Sequence, residues 1–171
     1  MQATKQLKEE HKAVKQALKI LEKICKKLDK GENVDPKHLD DLLNFLRTFV
    51  DKCHHSKEED VLFPAMEKAG VPNEGGPIGM MLIEHDLGRG FIKGMVEGKD
   101  FVKNARDYIA LLTDHIEKEE GILYMIADMH IPAEEQKKLL KEFDKIEEEK
   151  VGKGKHEQFH KMLDRFNKIY N

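Results

Sequence analysis

Four stretches of this chain repeat apolar residues at alternating spacings of four and three, and each series is interrupted once by histidine, or by histidine and glutamate, where a core residue belongs. The first runs from about Thr4 to Lys30 with Leu7, Val14, Leu18, Leu21, Cys25 and Leu28 on one face. His11 fills its gap, and Gly31 is suited to ending it. The second opens at Asp35-Pro36, a capping residue followed by proline at the first helical position. It carries Leu39, Leu43, Leu46, Val50, Val61 and Ala65, with His54 and Glu58 between them, and Pro64 is placed to kink its end. A Gly, Pro and Asn-rich loop over 70–76 leads to a third helix from Pro77, with Ile78, Met81, Ile92 and Met95 in series with His85 and Gly88. The fourth begins near Asp100 with Phe101, Ala105, Tyr108, Leu112, Ile122, Ile126 and Met129, and its gap holds His115 and Glu119. A shorter helix follows Pro132 and ends near Val151, Gly152 and Gly154 break it, and a last amphipathic segment spans about His156 to Tyr170.

Sustained four-three spacing predicts near-parallel helices around a shared core. Strand signals are missing from the pattern: there is no extended alternation and no hairpin turn between β-branched runs. The expected fold is all-α: an antiparallel up-down-up-down four-helix bundle over about 3–130 and a C-terminal helical extension over 132–171, in one domain of 171 residues. Lys and Arg number 30 against 33 Asp and Glu, so no basic field exists to attract nucleic acid. The apolar runs are too short for a bilayer, and the first ten residues lack a signal-peptide core, so no membrane partner and a cytoplasmic location are the expectations. Two cysteines, Cys25 and Cys53, are too few for a disulfide framework, and the absence of cysteine pairs argues against iron-sulfur or thiolate-zinc sites.

A carboxylate on an inner helix seam costs several kcal/mol unless it is paired or binds a metal. His11, His54, Glu58, His85, His115 and Glu119 together point to one shared partner between the helices. In His54-x-x-x-Glu58 and His115-x-x-x-Glu119 the two side chains lie one turn apart on one face. That reach lets both hold one metal, or lets the glutamate bridge two. Imidazole and carboxylate donors suit iron, manganese or zinc. The alternative is a buried polar network that needs no metal. His55 also has a glutamate four residues on, but its one-turn neighbours are Asp51 and Glu59, so helix phase prefers His54.

The pattern is duplicated. Residues 53–59, with His54, Lys57, Glu58 and Glu59, match 114–120, with His115, Lys118, Glu119 and Glu120, and Glu10-His11 matches Glu84-His85. Two helical hairpins related by a pseudo-twofold axis would bring the six residues to one level. These motifs resemble the hemerythrin-like, or HHE cation-binding, domain. The resemblance implies a non-haem di-iron site bridged by oxide or hydroxide, with two iron ions, His11, His54, His85 and His115 as terminal ligands, and Glu58 and Glu119 as bridges. It departs from the five-histidine pattern of hemerythrins at Arg89, one turn after His85. His156 or His160 is the expected source of a fifth ligand, if the last segment folds over the bundle; otherwise they begin a solvated helix. A missing ligand would favour peroxide or nitric oxide chemistry over oxygen carriage.

The expected function is binding of dioxygen or a related small oxidant. An enzyme acting on hydrogen peroxide or nitric oxide, and an iron or redox sensor read by a protein partner, are the alternatives. Cys53 reads as a small core residue, His38 and His130 as surface residues, and Met80, Met81, Met95, Met125 and Met129 as core filler. Gly88 either leaves space for a small ligand or permits close helix packing.

Overall fold

The computed structural model describes residues 2–171, and no strand occurs among them. Helix α1, Ala3–Asp29, ends where Gly31 takes a φ of 73°, the left-handed conformation that glycine accepts without strain. Helix α2 covers 36–68 without a break, capped by the Asp35 carboxylate, which accepts from the Lys37 amide. It is α-helical over Pro36–Phe45, π-helical over Leu46–His55 and Lys57–Leu62, and α-helical again over Phe63–Lys68. Helix α3 is Pro77–Val96. Helix α4 covers 101–130, α-helical over Phe101–Lys118, π-helical over Glu119–Leu123, and α-helical over Tyr124–His130. Helices α5, Ala133–Lys150, and α6, Lys155–Ile169, complete the chain. No helix among the described residues is long and apolar enough to cross a membrane.

The first four helices close a ring, α1 against α2 and α4, and α3 against α2 and α4. Helix α5 lies on α1 and the π-helical part of α2, and α6 lies on α1. Two apolar clusters form. One gathers Val14, Leu18, Phe49, Val50, Ile92, Leu112 and Ile116 with Phe159, Leu163 and Phe166 of α6. The other gathers Leu7, Leu62, Phe63, Met66, Met81, Leu123 and Tyr124 with Phe143 of α5. Along each of the four helices the histidines and glutamates fall between these clusters, so both ends of the polar level are closed by apolar side chains.

The π-helical turns explain where the expected stripes fail. In α2 the buried series Leu46, Val50, His54, Glu58, Leu62 advances by four at every step. A regular α-helix rotates such a series about 40° per step off its face. A wider turn holds it in place, and wide turns of this kind are frequent at functional sites. Pro64 has no N–H to return to the preceding turn, which fits a loosened ladder just before it; the helix continues through it. Beyond these turns the inward face shifts by a residue. Val61 and Ala65 are only partly buried, while Leu62, Phe63 and Met66 fill the core. In α4, Ile122 is 53% and Met129 79% exposed, and Leu123, Tyr124 and Ala127 take the inner positions. Met80 and Met125 are also exposed, which leaves Met81 and Met95 as the core methionines of the five.

Gly88 is a packing residue. A methyl group there would meet Tyr108, Leu111 and Leu112 at 3.5–3.9 Å, ordinary contact distances that leave no room for a ligand. His38 is not a free surface residue. Its ring lies 4.8 Å from Phe166, and its Nδ1 is 2.7 Å from the Tyr170 hydroxyl, so the C-terminal helix is tied to the start of α2.

Phe166 is fully buried in the first cluster. Phe166→Ala should lower unfolding free energy by about 3–5 kcal/mol, the usual cost of an emptied aromatic core position. Urea denaturation measures it, and a loss below about 1 kcal/mol would mean that α6 contributes little to the fold.

Candidate metal centre

Five buried histidines share one arrangement. Each turns Nδ1 to a carboxylate and Nε2 inward. The Nδ1 atoms lie against Glu120 for His11 (2.8 Å), Glu10 for His54 (2.8 Å), Asp51 for His55 (3.3 Å), Glu59 for His85 (2.6 Å) and Glu84 for His115 (2.9 Å). A carboxylate only accepts, so each Nδ1 carries a proton and, in the neutral ring, Nε2 keeps its lone pair. Histidines that hold metals are oriented by such outer carboxylates.

The inward atoms converge with Glu58 and Glu119, both without exposed surface. Two groups of donor atoms each lie within 4.8 Å of one another: His11, His54, Glu58 and Glu119 in one, and His55, His85, His115 and Glu58 in the other. Glu58 belongs to both. Glu119 Oε1 is 3.2 Å from His11 Nε2 and 3.2 Å from His115 Nε2, so it also stands between them. His54 Nε2, Glu58 Oε1 and Glu119 Oε2 are buried without a hydrogen-bond partner. Buried polar atoms are rarely left so, and a cation would satisfy all three. The donor set, imidazole nitrogen with carboxylate oxygen, fits iron, manganese or zinc.

Without a cation the charges are balanced by protons. Burial raises the pKa of Glu58, and the charge of Glu119 raises it further. Burial also opposes ionisation of Glu119, but His115 and hydrogen bonds from Glu58 and His11 outweigh it and hold Glu119 well below the usual carboxylate range. Burial disfavours the charged His85 ring, yet Glu58 and Glu59 lift it to about 10. His55 is driven the other way, first by burial and then by the charge on its neighbour His85.

The structure brings His11, His54, Glu58, His85, His115 and Glu119 together. It places the fifth histidine differently from the sequence expectation. His55 joins the group, stacked on His85 with ring centroids 3.8 Å apart, whereas His156 and His160 lie outside both groups. The cause is the π-helical stretch of α2, which turns His54 and His55 inward together. Helix phase at 3.6 residues per turn favours His54 over His55. His156 is instead held by Glu147, with Nδ1 2.7 Å from its carboxylate. Arg89 is partly exposed and bonds Asp51, Glu59 and Asp86 at 2.7–2.8 Å, so it positions the carboxylates that hold His55 and His85.

Periodicity also passed over Tyr124. Its hydroxyl donates to Glu58 Oε2 at 2.6 Å and lies 3.4 Å from both His11 Nε2 and Glu119 Oε1. The duplication carried a signal for several others. Glu10 and Glu84 each precede the lone histidine of their half, and each also binds the matching lysine, Lys57 or Lys118. Lys57 is fully buried, with Nζ 2.6 Å from Glu10 and 2.8 Å from Glu147 of α5. Cys53, a buried thiol whose pKa is pushed up by burial, donates to the same Glu147 oxygen at 2.9 Å.

These features define an all-helical protein with a buried histidine–carboxylate site suited to cations. Residues 2–127 match the hemerythrin HHE cation binding domain, and the chain belongs to that family. Neither the curated proteins nor the solved structures return a match to it.

Glu147 offers a test of the surrounding layer. Burial raises its pKa, but hydrogen bonds from His156, Cys53 and Lys57 outweigh this and set it well below the ordinary 4.5. A depressed folded value means that ionised Glu147 stabilises the fold above about pH 4.5, and that this is lost as pH falls toward the folded value. Glu147→Gln should cost about 1–3 kcal/mol at neutral pH, with the gap to wild type narrowing under acid. Urea denaturation of both proteins across that range measures it, and a gap constant with pH would refute the assignment.

Proposed function

We propose that the chain holds two iron ions side by side at the histidine level of an up-down-up-down four-helix bundle, within one domain that includes α5 and α6, and that it binds dioxygen or a related small oxidant there. The observation that carries this reading is the convergence of five Nε2 atoms on two buried glutamates. His11 and His54 would hold one ion and His55, His85 and His115 the other, with Glu58 and Glu119 spanning both. Such a pair supplies electrons to an oxidant that it binds.

The chain's own residues account for the rest. The outer carboxylates fix each ring and make its inner nitrogen a better donor. The apolar clusters at either end exclude water, which strengthens every charge interaction inside. With His55 present, five histidines are available, so the argument that a missing ligand opens the site to peroxide or nitric oxide falls away. Reversible binding is therefore the leading reading. Turnover of peroxide or nitric oxide is the second, favoured by Tyr124, whose O–H puts a proton donor inside the His11 and His54 group.

Metal analysis of the purified protein should give about two irons per chain, as expected for carboxylate-bridged sites between helices, and an absorption band that appears with oxygen and reverses on its removal. Irreversible oxidation alone would select the second reading. Glu58→Ala and His115→Ala should both lose most of the metal, and His55→Ala should retain about half, because one histidine of the three-histidine group is gone. Unchanged stoichiometry in Glu58→Ala and His115→Ala would make the assigned site wrong.

A further inference from the structure

His156 and His160 stand one turn apart near the start of α6, and their Nε2 atoms are 2.9 Å apart. His156 Nδ1 is committed to the Glu147 carboxylate at 2.7 Å, so it carries the proton and Nε2 of the neutral ring keeps a lone pair aimed at His160. His160 donates its Nε2–H to that lone pair. The buried centre holds a related pair, His85 and His115, whose Nε2 atoms lie 3.2 Å apart, though there both rings present Nδ1 to a carboxylate and here only His156 does. The pair opens on a cleft of about 470 Å³ that Glu9, Glu10, Asp144 and Glu147 also line. His156 is 40% exposed, and His160 is exposed, so both are reachable from solvent.

We propose that His156 and His160 chelate a divalent transition-metal ion at a surface site separate from the buried centre. Bond lengths of about 2.1 Å with a right angle at the ion set two imidazole nitrogens about 3.0 Å apart, and a tetrahedral angle sets them about 3.4 Å apart. When a cation displaces the proton that His160 shares with His156, the two nitrogens need move little from 2.9 Å to reach such a spacing, and imidazole donors suit nickel, copper, iron or zinc. Glu147 fixes the His156 ring as an outer carboxylate does at a metal site. The four carboxylates of the cleft outnumber the Lys57 and Lys12 ammoniums paired with them, which leaves a net negative field for cations, and water completes the coordination shell. Lys57 separates this ion from the interior. Its buried ammonium lies between Glu147, which holds His156, and Glu10, which holds His54. A cation at the pair therefore has no continuous path of acceptors to the buried centre.

The proposal does not depend on what fills the buried centre, because it is read as a difference between variants. Calorimetric titration of the purified protein with nickel chloride should show one nickel site that His160→Ala weakens by about tenfold or more, the scale of losing a ligand interaction. Iron content and thermal midpoint should match wild type, since His160 is exposed. His156→Ala should weaken the same site and leave iron content unchanged. Nickel isotherms identical in wild type and both variants would overturn the proposal. A loss of iron in His160→Ala would also overturn it, by returning that histidine to the buried centre.

Discussion

Two carboxylates without exposed surface face each other at mid-helix, and the surrounding residues are placed as charge balance requires. Like charges so close in a dry interior cannot both ionise unassisted, and here the pair divides, Glu58 raised and Glu119 lowered. In the absence of a cation the rings of His11, His85 and His115, whose pKa values are raised, supply the compensating charge, and a further ring of carboxylates holds all five imidazoles. Glu10, Asp51, Glu59, Glu84 and Glu120 in turn draw in Lys57, Arg89 and Lys118. The result is concentric shells of alternating character, from inner glutamates to histidines, outer carboxylates and basic residues. Each shell is explained by the one inside it. Cations at the centre would replace the borrowed protons and satisfy three of the four unpartnered buried atoms, all but the Tyr108 hydroxyl.

The backbone accommodates this demand by leaving regular α-helix. A helix of 3.6 residues per turn offers one inward position per turn at a given level, and α2 must offer two, His54 and His55, together with Glu58. The π-helical turns on either side of Ser56 solve this, and the shorter π-helical stretch of α4 begins at Glu119 itself. Wide helical turns are rare and concentrate at functional sites, so their presence in two helices at the level of the charged residues ties the distortion to the site.

That distortion also separates what was legible in the sequence from what was not. The helix starts at Pro36 and Pro77, the stop at Gly31 and the six duplicated polar positions follow from caps and four-three spacing, and all these residues are where local chemistry puts them. His55, Tyr124 and the exposure of Ile122 and Met129 depend on a change of helical pitch, and no hydrophobic periodicity computed at a single pitch can express it. His156, one of the two expected sources of a fifth ligand, lies outside both donor groups and pairs with a carboxylate elsewhere. Its carboxylate, Glu147, lies on a helix whose packing over α1 and α2 has no signature in spacing.

Duplication provides the frame, and the departures from it provide the chemistry. The two halves match at Glu10 and Glu84, His11 and His85, His54 and His115, and Glu58 and Glu119. They differ where Cys53 faces Asp114 in the repeat, His55 faces Ile116, and Phe63 faces Tyr124. The first half is roofed by α5, which buries Lys57 and Cys53 beneath Glu147, while Lys118 of the second half remains partly exposed. Phe63 and Tyr124 both stack against a histidine of the site, His85 and His11, but only tyrosine brings an O–H. The two donor groups are thus chemically unequal, one with three imidazoles and an apolar ring, the other with two imidazoles and a phenol. A symmetric pair of metals would bind a small oxidant equally at either end. On the proposed reading, the unequal donor groups would give a bound oxidant an orientation, with the nitrogen-rich group suited to an electron-donating ion and Tyr124 supplying a proton donor at the other.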